Sequence, residues 1–296
     1  MSNHWDALID QIAPDQPVLI AGCTASGKSA LALDIAARQG GMIVNADALQ
    51  VYDNWSVLTA RPPAQDLAQA PHVLYGHVDR AVAYTVGDWL RDLRGVLGQA
   101  RPIVVGGTGL FFRALTEGLA DIPAIPPTIQ AESQQMLNTQ GLARMVADLD
   151  AQTRTALDVQ NPMRVQRAWA VQRHTGRSIV DWQADTPAPD MPVPDCTALL
   201  LDADKDWLAQ RIGQRFDLMI ARGALDEVAA NADDWDPTRL SSRAIGAPEL
   251  MAFHQGDITL EQARTDAIIA TRQYAKRQRT WFRKRMSDWT PIALPG

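Results

Sequence analysis

Apolar positions follow two patterns along this chain. Four short runs are apolar at nearly every position: Pro17 to Ala21, Met42 to Asn45, Pro102 to Val105, and Thr197 to Leu201. Runs without alternation predict strands buried on both faces, as in a parallel sheet. Elsewhere apolar residues recur at helical spacing. Ser29 to Arg38 carries Ala30, Leu31, Leu33, Ile35 and Ala36 and stops at Gly40-Gly41, which predicts a helix ended by glycine. Asp88 to Leu97 and Leu110 to Glu117 read as two further helices. Strands alternating with helices predict an α/β fold with a parallel sheet.

The pattern changes at Asp121 to Pro127, a proline-rich joint, and a second such joint runs from Asp185 to Pro194. Between them, from about Ile129 to Val180, the periodicity is helical and no strand pattern occurs. The expectation is a helical insertion domain over 121–194, joined by stiff linkers to a core made of 1–120 and 195–296. After Asp206 the chain reads as helical almost to its end.

Composition adds limits. The 296 residues are 46% hydrophobic and 21% charged, values of a globular protein with a sizeable core. No apolar run approaches the roughly 18–20 residues of a membrane helix. Met1 to Asp15 has no Lys or Arg and lacks the layout of a secretion signal. The two cysteines, Cys23 and Cys196, have no metal-ligand companions in sequence. These features predict a cytoplasmic protein without a membrane partner, and a monomer is expected.

The net charge of −6 argues against nucleic acid as a partner, but totals hide local patches. Arg272, Lys276, Arg277, Arg279, Arg283, Lys284 and Arg285 fall in one stretch without an acid. Tyr274, Trp281 and Phe282 interleave with them, a mix suited to neutralising phosphates and stacking bases. An amphipathic helix with a solvated basic face explains the segment equally well.

The most specific motif is Gly22-Cys23-Thr24-Ala25-Ser26-Gly27-Lys28-Ser29. It matches the phosphate-binding loop G-x-x-x-x-G-K-[ST], and it stands between a predicted strand and a predicted helix. Backbone N–H groups and the helix N-terminus receive an anion there, Lys28 adds charge, and Ser29 offers a hydroxyl to Mg²⁺. Nucleotide hydrolases of this class carry an acid at the end of a later strand. Here the strand over 102–105 runs into Gly106-Gly107-Thr108-Gly109. That departure disfavours an ATPase or GTPase. An acid does follow the second strand, Asp47. Ligands of open α/β sheets bind at the carboxyl ends of strands, so Asp47 and Thr108 are both expected near the loop. A turn cap at Asp47 and a tight turn at Thr108 are the plainer readings.

These residues resemble the tRNA dimethylallyltransferases, also called tRNA isopentenyltransferases. The family loop reads Gly-Pro-Thr-Ala-Ser-Gly-Lys-Thr. Further motifs follow in order: Asn45 to Tyr52, Thr59 to Pro62, Pro71-His72, Gly106 to Thr108, and Glu117 to Leu119. Asn161 to Arg167, Arg211 to Met219, Ser242 to Gly246 and Thr271 to Trp281 complete the series. The resemblance spans about residues 17 to 285.

It implies a P-loop-like α/β core that transfers a dimethylallyl group from dimethylallyl diphosphate to N6 of adenosine 37 in tRNA, with Mg²⁺. By this resemblance Gly22, Thr24, Ala25, Ser26, Gly27, Lys28 and Ser29 hold the diphosphate. Asp47 is the general base, Thr108 orients Asp47 or a phosphate, and Arg215 binds the diphosphate. A surface arginine paired with Asp217 is the plainer reading of Arg215. The tRNA segments carried over are Asp47, Ala48, Leu49 and Gln50; Met163, Arg164, Val165, Gln166 and Arg167; and Ser242, Arg243, Ala244, Ile245, Gly246 and Ala247. Lys276, Arg277, Gln278, Arg279, Thr280, Trp281, Phe282 and Arg283 form the last. The insertion is expected to grip the anticodon stem-loop; its Arg164, Arg167, Arg173, His174 and Arg177 read equally as phosphate contacts or as ordinary surface charge. Cys23, Ser29, Ala48 and Arg61 depart from the family's Pro, Thr, Ser and Lys, and none removes a reacting group. The competing expectations are a P-loop kinase of a small metabolite or nucleoside, and an RNA-binding module with an idle loop.

Overall fold

A computed structural model describes residues 5–294. The chain forms two compact units: Met1–Thr116 together with Met191–Gly296, and the continuous segment Glu117–Asp190.

Among the described residues, the first unit is built on six parallel strands: β1 (Val18–Gly22), β2 (Met42–Asn45), β3 (His72–Val73), β4 (Pro102–Gly106), β5 (Thr197–Asp202) and β6 (Thr290–Ala293). Their spatial order is β3-β2-β4-β1-β5-β6. The apolar runs become the central strands because both faces are covered; β1, β2 and β4 are buried along their whole length. In register, Leu19 lies between Val104 of β4 and Ala198 of β5. After β1 the chain leaves for β2 on one side, while β5 pairs on the other. The loop after β1 therefore emerges at the switch point, where open sheets bind ligands.

Helices α1 (Asp6–Ile9), α2 (Lys28–Gln39), α3 (Ala64–Leu67), α4 (Val86–Val96) and α5 (Gly109–Glu117) belong to the first part of this unit. Helix α4 begins two residues before the expected Asp88. Thr85 is its cap: the Thr85 hydroxyl accepts from the Asp88 N–H, and the Asp88 carboxylate accepts from the Thr85 N–H. On the inner face of α4, Trp89 donates to the Asn45 carbonyl at 2.7 Å and stacks on Phe111, 4.6 Å between centroids.

The second unit has four helices, α6 (Pro127–Asp148), α7 (Ala151–Ala156), α8 (Pro162–Thr175) and α9 (Ile179–Ala184), and no strand among the described residues. Its core is its own, centred on Met145, Val165, Ala168 and Val171. Side chains of Asp150, Asn161 and Ser178 cap α7, α8 and α9, and Gly141 at φ 81° breaks α6. The two connecting segments run side by side: a Cβ on Gly118 would lie 2.4 Å from the Pro187 carbonyl.

The remaining chain returns to the first unit as α10 (Lys205–Ala221), α11 (Ala224–Ala230), α12 (Ala247–His254) and α13 (Leu260–Arg285). The helical reading of the C-terminal part misses β6. Helix α13 stops at Met286, and Thr290–Ala293 pairs with β5 at the sheet edge, where Pro291 is tolerated.

Candidate active site

Strand β1 delivers Gly22 to the top of the sheet, and the loop turns at once into α2. The turn leaves no space for a side chain at Gly22: a Cβ would meet Ser26 Oγ at 2.8 Å and Leu201 Cβ at 3.1 Å. Ala25 (φ 64°) and Gly27 (φ 91°) adopt left-handed conformations, which curl the backbone into an anion cradle. For Ala25 that conformation costs on the order of 1–3 kcal/mol. The Ala25 carbonyl, turned outward, accepts from Arg211 Nε at 3.0 Å.

Lys28, Ser29 and Thr24 line a cavity of about 850 Å³, counted with its open mouth. Burial lowers the Lys28 pKa to about 8; Asp47 opposes that shift and Arg215 adds to it. Arg215 donates from Nη1 to Thr24 Oγ1 at 3.2 Å. Its guanidinium lies within the cavity wall, and burial holds its pKa below the usual arginine value. The expected surface pairing with Asp217 does not occur, because Asp217 is bound in two-pronged fashion by Arg264, at 2.6 and 2.8 Å.

Asp47 stands across the cavity at the end of β2. Asn45, fully buried, fixes it: Asn45 Oδ1 accepts from the Asp47 N–H at 2.8 Å, and Asn45 Nδ2 donates to the carbonyls of Asp47 and Leu74. Asp47 Oδ1 accepts from the Leu49 N–H at 3.1 Å. Thr108 acts on the same turn, its Oγ1 accepting from the Ala48 N–H at 2.9 Å and its N–H donating to the Ala46 carbonyl. Thr108 thus orients the segment that carries Asp47. Gln50 lines the cavity too, with Nε2 donating to the carbonyls of Thr59 and Ala60.

Most of the remaining wall is apolar, formed by Leu49, Leu58, Ile212, Phe216, Met219 and Ile245, with Thr59 and Thr271 among them. Ile212, Phe216 and Met219 flank Arg215 at helical spacing on α10, a signal present in the sequence but not read there as a wall. Tyr274 of α13 completes the lining. Its hydroxyl is raised above the ordinary tyrosine range by burial first and by the Asp47 charge second. Cys23, buried, donates from Sγ to the Ala275 carbonyl at 3.5 Å, and burial raises its pKa.

The segments assigned to tRNA divide sharply. On α13, Lys276, Arg277, Thr280 and Arg283 are exposed and Arg279 is half-buried. Gln278 and Phe282 are buried, so Phe282 stacks no base, and Tyr274 faces the cavity. Trp281 lies over Gly109, where a Cβ would come within 2.3 Å of its ring. Phe282 therefore serves packing and Tyr274 the cavity, Trp281 is half-buried, and the exposed side chains of the segment are mostly basic. Among Ser242 to Ala247, only Arg243 is exposed; Ser242, Ala244 and Ala247 are buried and Ile245 lines the cavity. Gly246 sits at φ 97° with Phe216 and Leu58 against it, so this segment chiefly supports the wall.

In the helical unit, Met163, Arg164 and Arg167 are exposed, Gln166 is half-buried and Val165 is buried. Arg173 pairs with Glu132 at 3.0 Å, Arg164 with Asp158 at 3.7 Å, and Arg177 with Asp185. Much of the positive charge expected to meet phosphates is already compensated by carboxylates.

A parallel sheet with a Gly-Lys-Ser loop at its switch point, facing an aspartate across a half-apolar cavity, defines a phosphate-loop α/β protein. The chain belongs to the IPP transferase family, whose model matches residues 50–285, and an isopentenyl transferase model matches residues 16–83. It is 58% identical over 295 residues to a tRNA dimethylallyltransferase of Cereibacter sphaeroides, covering 99% of this chain and 94% of that protein. A tRNA dimethylallyltransferase of a Ruegeria species is 58% identical over 286 residues, covering 96% and 98%. Among solved structures, the full-length tRNA isopentenylpyrophosphate transferase of Bacillus halodurans aligns with a TM-score of 0.66 and 28% identity, over 94% of this chain and 90% of that one. No described helix is long and apolar enough to cross a membrane.

Proposed function

We propose that this protein transfers a dimethylallyl group from dimethylallyl diphosphate to N6 of adenosine 37 in tRNA and releases diphosphate. One observation carries the reading: a single cavity joins a phosphate cradle, an apolar wall and the Asp47 carboxylate. The close relatives named tRNA dimethylallyltransferase support it independently. A kinase reading leaves the apolar wall without a task.

The diphosphate lies on the loop amides from Ala25 to Ser29, with Lys28 and Arg215 against its oxygens. The C1–O bond of the donor breaks as the C1–N6 bond forms, and the electron pair of the broken bond leaves on diphosphate. Preorganised cations and amides stabilise that charge, the largest contribution in reactions of this kind. The N6 proton passes to the Asp47 carboxylate. Thr108 holds the Asp47 turn in place. The five-carbon chain rests on Phe216, Met219 and their neighbours, which also exclude water from a reactive allylic centre.

Mg²⁺ is proposed as cofactor. No cluster of three acidic, His or Cys ligands exists among the described residues, so the chain offers no cage of its own. The donor set fits Mg²⁺ in its usual manner, bound by substrate phosphates and water with one protein oxygen, here Ser29. When bound, the ion would neutralise charge on the diphosphate.

The target adenine must be unstacked to enter the cavity, which costs a few kcal/mol and least for a loop base. Asp47 to Gln50 would read it. The helical unit is proposed to bind the anticodon stem-loop through Met163, Arg164 and Arg167, and the basic face of α13 to hold phosphates, in a cytoplasmic, monomeric enzyme. Arg283→Ala is then expected to weaken tRNA binding without changing kcat, and to reduce the salt slope of log Kd by about one. Filter binding across a salt series checks this.

The function itself is tested by incubating the protein with Mg²⁺, dimethylallyl diphosphate and unmodified tRNAs of several anticodons. N6-dimethylallyladenosine is expected in the nucleoside mass spectrum. Its absence, or ATP turnover without RNA, overturns the reading.

A further inference from the structure

We infer that Gln278 is a positioning residue for the transfer: its side-chain amide ties the phosphate loop to the Gly106–Gly109 turn and so fixes the donor cradle relative to Asp47. The inference rests on the proposed transfer reaction. Gln278 Oε1 accepts from the Thr24 N–H at 3.0 Å, and Gln278 Nε2 donates to the Gly107 carbonyl at 2.9 Å. The residue is 5% exposed, although Lys276 and Arg277 beside it face solvent. It therefore points away from any RNA bound on the basic face. A primary amide offers a donor and an acceptor in one plane without charge, which is what an N–H on one side and a carbonyl on the other require.

The backbone is shaped to receive it. A Cβ at position 107 would lie 2.3 Å from Gln278 Nε2, so glycine makes the contact possible. One turn earlier on the same helix, the Ala275 carbonyl accepts from Cys23, so α13 holds two consecutive residues of the loop. Each anchored residue then fixes a reacting group. Thr24 Oγ1 accepts from Arg215, and Thr108, next to Gly107, holds the Asp47 turn through the Ala48 N–H. Leaving-group machinery and base are thus referenced to one side chain. A corollary concerns the cradle itself: the Thr24 N–H is turned to Gln278, so Thr24 serves the donor through its hydroxyl rather than its amide.

The test uses two variants of the full-length protein. Gln278→Met keeps the length and bulk but neither hydrogen bond. Gln278→Glu keeps the shape but, ionised, sets an oxygen against the Gly107 carbonyl. Transfer kinetics on tRNA, tRNA affinity by filter binding, and Tm are measured for each. A displacement of reacting groups by about 1 Å lowers rates on the order of 100-fold. The expected result is a kcat lower by about 10- to 100-fold with tRNA Kd within about twofold of wild type, and Gln278→Glu at least as impaired as Gln278→Met. Unchanged kcat and donor KM in both variants would overturn the inference, as would a loss of tRNA affinity that accounts for the lost rate. Should Gln278→Met fail to fold, Gln278→Glu decides; should both fail, Gln278 is a folding determinant and the inference falls. A wild-type protein that makes no dimethylallyladenosine removes the transfer reading itself, before any variant is compared.

Discussion

Lys28→Ala is expected to lower kcat for dimethylallyl transfer by about 10²–10³-fold while leaving the protein folded and tRNA affinity unchanged. Lys28 stands at the start of α2 and lines the cavity, where the proposed reaction places the leaving diphosphate. Its charge matters most as the C1–O bond breaks, so the loss falls on kcat and not only on donor KM. The pH dependence has a definite sign. Burial brings the Lys28 pKa down to about 8, so the free enzyme carries the charge below that pH and loses it above. kcat/KM for the donor is therefore expected to fall as pH rises through about 8, since that ratio reports groups of the free enzyme. In Lys28→Ala this limb disappears. Rates measured from pH 6 to 10 with saturating tRNA check both statements; an alkaline limb that persists in the variant would take Lys28 out of the assignment.

Asp47→Asn is expected to fold, bind donor and tRNA, and lose about 10²–10⁴-fold in kcat, the range for removal of a general base. Asparagine keeps the oxygen that accepts from the Leu49 N–H, so the turn after β2 survives. What disappears is the group proposed to take the N6 proton. Single-turnover assays isolate the chemical step from product release. A variant with wild-type single-turnover rate would leave Asp47 as a turn residue and no more. Thr108→Val, which removes the acceptor for the Ala48 N–H, tests the same turn without touching the carboxylate. Its loss should be smaller than that of Asp47→Asn and should not alter donor KM.

The sheet was legible because β1, β2, β4 and β5 are apolar at nearly every position, a pattern that two-sided burial explains. Strand β3 was not: His72 and Val73 are two residues, too few for any periodicity. Strand β6 escaped because Pro291 reads as a breaker, and only its place at the sheet edge makes it acceptable. In the site, the Gly-Lys-Ser motif carried its own signal: the turn demands Gly22 and Gly27, and anion chemistry accounts for Lys28 and Ser29. Asp47 was approachable from its position after a strand. Apart from the family resemblance, Arg215 could not be told from a solvated arginine without knowing that Arg264 takes Asp217. The α13 segment shows the opposite failure. Lys276 to Arg283 reads as one basic and aromatic patch, but a helix turns successive residues to different sides. Gln278 and Phe282 go inward, Tyr274 reaches the cavity, and the cations go outward.

The hydrogen bond between Thr24 and Gln278 joins residues 254 positions apart. On a ribosome adding about 5–20 residues per second, the loop is made roughly 10–50 s before its partner. Strand β1 waits similarly for β5 on one flank. The helical unit has no such delay, because Glu117–Asp190 is continuous and contains its own core. Synthesis order thus favours a nascent chain in which the helical unit is formed while the sheet still lacks β5 and β6. The two contacts that α13 makes to the loop, at Cys23 and Thr24, form only once α13 has been released from the exit tunnel and docked.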